Sequence, residues 1–173
     1  MNLIRIADCR LTENFRLYEF LRSDTAERLK IDNTPDDTIL VALQALAERL
    51  EAVQSALSEK RMDISSGYRC PLLNAAVGSR PTSDHVKGLA ADFTAPGFGT
   101  PADVCHRLVS SDIPFKQLIL EGPGRRPDGT LRIWVHISFD LQAELQRRTA
   151  KREVLTIGRG GAVLVGIRDD ALA

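Results

Sequence analysis

An α+β fold, with a central antiparallel sheet and helices packed on it, is what this chain predicts. Two observations carry that expectation. Helical periodicity fills roughly the first third of the 173 residues, and β-rich runs follow it, with a single helical segment between them. The chain is long enough to bury a core as one domain, divided as a helical lead-in over 1–60, a core over 61–140 and a C-terminal extension over 141–173.

The elements follow in order. "TENFRLYEFLRSDTAERLKI" places Phe15, Tyr18, Leu21 and Leu29 near helical spacing, with Thr12 or Ser23 as the N-cap. "TPDDTILVALQALAERLEAVQSAL" is the strongest helix. Thr34 is its expected cap, Pro35 sits in the first turn, and Asp36 and Asp37 lie at the positive end of the dipole. Leu43, Leu46, Leu50, Val53 and Leu57 make its core-facing stripe. "MDISSGY" and "LAADFTA" read as strands, and "TPADVCHRLVSS" as a helix opened by a Thr-Pro cap. "FKQLILE" and "LRIWVHISF" are joined by "GPGRRPDGT", whose Pro and Asp-Gly signals make a hairpin. "EVLTIGRGGAVLVGI" either forms a terminal hairpin or hangs loosely.

Composition narrows the function. Lys and Arg total 23, as do Asp and Glu, so no global field selects nucleic acid or an anionic membrane. No apolar run approaches membrane-spanning length, and Arg5, Asp8 and Arg10 break the N-terminal run where a signal-peptide core would lie. Cys9, Cys70 and Cys105 are odd in number and widely spaced, which suits a reducing compartment better than a disulfide framework. Synthesis in a cytoplasm is expected.

The chemistry-bearing residues gather in "SSGYRCPLLNAAVGSRPTSDHVKGLAADF" and in the last hairpin. Period two in "LRIWVHISF" sends Ile133, Val135, Ile137 and Phe139 to one face and Arg132, Trp134, His136 and Ser138 to the other. His136 there is either a hydrogen-bonded structural group or a ligand. His85 lies in a loop that Gly88 lets turn sharply, and Asp92 is a carboxylate inside an apolar strand, which needs a cation or a metal as compensation. Two neutral imidazoles and one carboxylate make a usual catalytic zinc set that leaves a fourth position for water. Glu121, at the end of the strand paired with that of His136, is either a solvated turn residue or the proton acceptor such a site needs. His106 reads as structural. Cys70, beside Arg69, is either an activated thiol or a small buried filler, which leaves a cysteine hydrolase as a rival class.

"SGYRCPLLNAAVGSRPTSDHVKGLAADF", followed by "KQLILE" and "WVHIS", resembles the zinc D-alanyl-D-alanine carboxypeptidase family over about Ile64 to Phe139. That family includes phage and bacterial cell-wall peptidases and shares its fold with the hedgehog signalling domain. The resemblance implies one zinc ion held by His85, Asp92 and His136. It implies Glu121 as general base, Arg69 on a substrate carboxylate or carbonyl, and Ser83 on the peptide near the metal. The substrate it implies is a peptidoglycan stem peptide, cut as by a D-alanyl-D-alanine carboxypeptidase. An endolysin-type endopeptidase and a non-catalytic metal-binding module are the alternatives. Delivery to the wall would then come from phage lysis or a phage particle. The chain departs from the pattern twice: "GPGRRPDGTLRI" separates Glu121 from the last histidine by more than is usual, and Trp134 stands where some relatives carry a histidine.

Overall fold

The computed structural model describes residues 9–125, 131–142, 146 and 150–172. Five α-helices and six strands are α1 (Leu17–Leu21), α2 (Asp24–Leu29), α3 (Asp37–Ala56), β1 (Asp63–Ser66), α4 (Pro71–Ala76), β2 (Ala90–Thr94), α5 (Pro101–Val109), β3 (Gln117–Arg125), β4 (Leu131–Ser138), β5 (Glu153–Ile157) and β6 (Val163–Val165) among these residues. The expected α+β class is what the chain adopts. Its strands form one six-stranded sheet in the order β1-β2-β4-β3-β5-β6. By backbone contacts the chain divides into two compact units, one of residues up to Ala52 with Ile64–Ala91, the other of Val53–Asp63 with Asp92 onward.

In the first unit the lead-in is two short helices rather than one. Arg22 leaves α1 in an extended conformation, and Ser23 caps α2 by accepting from the Ala26 amide at 3.3 Å. Thr12 caps nothing. At α1 the Glu19 carboxylate reaches back to the Arg16 amide at 2.7 Å. Helix α3 begins later than Thr34: Asp36 is the cap, its Oδ1 accepting from the Ile39 amide at 2.8 Å, while Thr34 donates its own amide to Asp32. Asp outranks Thr as a cap, and here the carboxylate also meets the helix dipole. The stripe Leu43, Leu46 and Leu50 is wholly buried, as its spacing predicts, and so are Val53 and Leu57, which fall in the second unit. Gly67, at the end of β1, is pressed against the Phe20 backbone; a Cβ there would lie 2.7 Å from the Phe20 Cα.

In the second unit the hairpin forms as expected, but β3 continues past Glu121 to Arg125. Pairing with β4 is antiparallel from Gln117↔Ser138 to Glu121↔Trp134, then shifts register before Gly124↔Arg132. Pro123 has no amide hydrogen to give the ladder and falls within that irregularity. Residues 126–130 of the expected turn lie outside the described residues. The C-terminal segment is a hairpin, β5 with β6, and it does not hang loosely: β5 pairs with β3 from Gln117↔Glu153 to Glu121↔Ile157. That pairing is parallel, so the sheet is mixed where all-antiparallel pairing was expected. Thr100 caps α5 through the Asp103 amide, with Pro101 at its first position, and the helix packs on β3 and β4 through Val104, Cys105 and Leu108. No described helix is long and apolar enough to cross a membrane.

Candidate metal centre

His85 is held by its own loop. It occupies a single 3-10 turn, Asp84–Lys87, whose first amide need is met by Ser83 Oγ accepting from the His85 amide at 3.4 Å. Gly88 closes the turn at φ +68°, a left-handed conformation that costs a side-chain-bearing residue energy. The imidazole is 1% exposed, and its Nδ1 lies 2.5 Å from the carbonyl oxygen of Gly67. A carbonyl only accepts, so Nδ1 carries the proton, and in the neutral ring Nε2 then keeps its lone pair. That is the tautomer a metal ligand needs, fixed by the kind of second hydrogen bond that ligating histidines make. The Arg69 amide in turn donates to the His85 carbonyl at 3.2 Å, so the "SGYR" loop grips this residue at both ring and backbone.

Asp92 and His136 meet within the other unit. Asp92 is the middle residue of β2 and His136 lies on β4, the strand next to β2 in the sheet. The two are 8% and 7% exposed, and His136 Nδ1 lies 2.8 Å from Asp92 Oδ1. The period-two reading of β4 holds: Val135 and Ile137 are fully buried on one face, opposite Leu120 and Leu118. Trp134 and His136 take the other face, opposite Glu121 and Ile119 respectively. Directly paired residues project to the same side, so Glu121 is the diagonal neighbour of His136, at a backbone separation of about 7–8 Å. The long insertion leaves that neighbourhood intact, because register and not loop length sets it.

His85, Asp92 and His136 are all buried, and one ligand atom from each lies within 4.8 Å of the others. This donor set suits a divalent ion. Two neutral imidazoles and one carboxylate bring a net charge of −1 into an apolar setting, which a divalent cation more than offsets. Ligand atoms about 2.0–2.1 Å from a tetrahedral ion stand about 3.3 Å apart, and the 2.8 Å between His136 Nδ1 and Asp92 Oδ1 is within side-chain adjustment of that spacing.

The other candidates have different environments. His106 is exposed, with Nε2 3.5 Å from Asp169 Oδ1. Cys70 is partly buried, and its sulfur caps α4, accepting from the Leu73 amide at 3.4 Å. Burial pushes the Cys105 thiol up to about 12. The element that sequence reasoning missed is the Gly67 carbonyl. Its only sequence trace is a glycine directly before the Tyr-Arg pair.

A buried His-Asp-His cluster next to a sheet-borne glutamate defines the class of a metal-dependent hydrolase. The model of the peptidase M15 family matches residues 13–120, more than half of the chain, and the chain belongs to that family of zinc-dependent metallopeptidases. No curated protein matches it. The matched span contains Arg69, Ser83, His85 and Asp92 and stops one residue short of Glu121.

Proposed function

We propose that the protein is a zinc peptidase that hydrolyses peptidoglycan stem peptides in the manner of a D-alanyl-D-alanine carboxypeptidase. The observation that carries this reading is the convergence of His85, Asp92 and His136, buried and within reach of one ion. One zinc ion bound by these residues would supply Lewis acidity and make water a competent nucleophile near neutral pH. Glu121, on the face of the sheet that carries His136, takes a proton from the attacking water and hands it to the leaving amine as the amide C–N bond breaks. Hydroxyl ends on the carbonyl carbon and the proton on the amine, so no further reactant is needed. Arg69 pairs its planar guanidinium with the carboxylate of the departing residue. Ser83 holds the peptide beside His85. Access to the wall comes through phage lysis or with a phage particle.

The test is metal analysis of the purified protein together with mass spectrometry of digested muropeptides. One zinc per chain and release of terminal D-alanine, both lost with a chelator and restored by zinc, are the expected results. Cleavage of a stem peptide amidated at its C-terminus would assign an endopeptidase instead. Full zinc occupancy without cleavage of any stem peptide would make the site a non-catalytic metal-binding module.

A further inference from the structure

Arg69 lies in a loop whose shape is set from outside it. Asn33, in the segment between α2 and α3, spends its whole side chain on three backbone groups. Its Nδ2 donates to the carbonyls of Leu21 and Tyr68, each at 3.0 Å, and its Oδ1 accepts from the Cys70 amide at 2.8 Å. Two of the three partners are thus the residues on either side of Arg69. The Tyr68 amide donates to the Phe20 carbonyl at 2.8 Å, which ties the same loop to the same stretch of the lead-in. Asn is the residue with the right inventory for this bridge: a two-donor amide nitrogen and an acceptor oxygen on one short, planar group. Asp would lose both donors and Leu all three bonds.

We infer that Asn33 is a positioning residue for substrate recognition: it clamps the peptide units flanking Arg69 and so aims the guanidinium at the substrate's carboxylate. The inference rests on the role proposed above for Arg69. Asn33 touches neither substrate nor metal, and its effect passes through the loop. Preorganising a planar guanidinium in this way lowers the cost of ordering it when substrate binds.

The test compares Asn33→Ala, Asn33→Asp and Arg69→Ala, singly and as the Asn33→Ala/Arg69→Ala double variant, in zinc-loaded protein. For a stem peptide with a free terminal carboxylate, Asn33→Ala should raise KM by about tenfold, the size expected for loss of a charge-directed contact, with kcat within about twofold. In the Arg69→Ala background the same change should have no further effect on KM, because contributions through one residue do not add. Additive losses would overturn the inference, since a merely structural residue behaves that way. Amide exchange at Cys70 reads the clamp without any turnover: the amide should be protected in the wild type and in Asn33→Asp, which keeps an acceptor, and exchange fast in Asn33→Ala. Unchanged Cys70 protection in folded Asn33→Ala would refute the clamp itself. A wild type that binds zinc but cleaves nothing, with Cys70 protection still dependent on Asn33, would refute the proposed activity and leave the clamp standing.

Discussion

Replacing Gly67 with alanine isolates the contact on which the His85 tautomer depends. The new methyl would stand 2.7 Å from the Phe20 Cα and Cβ and 2.8 Å from its carbonyl oxygen. Two of those three atoms are main chain, so no rotamer change relieves the clash and the β1–α4 loop must move. Overpacking of this kind costs about 1–3 kcal/mol, and losing the 2.8 Å Tyr68–Phe20 backbone bond adds about 1 kcal/mol. A displaced Gly67 carbonyl also leaves His85 Nδ1 without the acceptor that fixes its proton, a change that lowers metal affinity about 10–100-fold. Urea denaturation in excess chelator reads the first effect free of metal linkage, and competition with a chromophoric zinc chelator reads the second. Gly97→Ala is the control, because the atom nearest its new Cβ would be Lys60 Cδ at an ordinary 3.6 Å. If Gly67→Ala unfolds at the same urea concentration as Gly97→Ala and holds zinc as tightly, the loop does not orient His85 as argued.

Further predictions concern the acid–base group, the core and the thiols. Glu121→Gln should lower the rate of peptide hydrolysis about 10²–10⁴-fold while zinc stoichiometry by atomic absorption stays at the wild-type level. Leu46→Ala, at a fully buried position of the α3 stripe, should cost about 2–5 kcal/mol in urea denaturation, with no change in the donor set. At pH 8 Cys105, its thiol held up at about 12 by burial, stays protonated and should escape iodoacetamide in the native protein. The exposed Cys9 should be alkylated, and peptide mass spectrometry distinguishes the two.

Local pattern made some of this legible and hid the rest for definable reasons. The α3 stripe and the two faces of β4 follow from periodicity alone, since burial repeats along the element at its own spacing. His85, Asp92 and His136 were visible because a carboxylate inside an apolar strand demands a partner, and the sequence has few histidines to offer one. Asp36 displaced Thr34 as the cap because two capping residues stand two positions apart, and the start of the helix decides between them. The split between α1 and α2 was hidden because Phe15, Tyr18 and Leu21 keep a helical spacing up to the break at Arg22. Asn33 and the Gly67 carbonyl act through partners far along the chain, and no spacing rule encodes them. The parallel β3–β5 pairing escaped notice for the same reason: strands signal their existence locally and their neighbours only through the tertiary fold.

That last pairing has a consequence for anyone trimming or tagging this polypeptide. With Glu153–Ile157 in place, β3 is flanked on both sides, and the main chain of Glu121 is braced by Trp134 on one side and Ile157 on the other. A version cut off after Phe139 would leave β3 as an open rim, its amides and carbonyls available to any passing strand. The glutamate would then depend on a single neighbour, at the last paired position before the ladder slips. A tail more than thirty residues downstream thus works as a splint for the site's most consequential carboxylate.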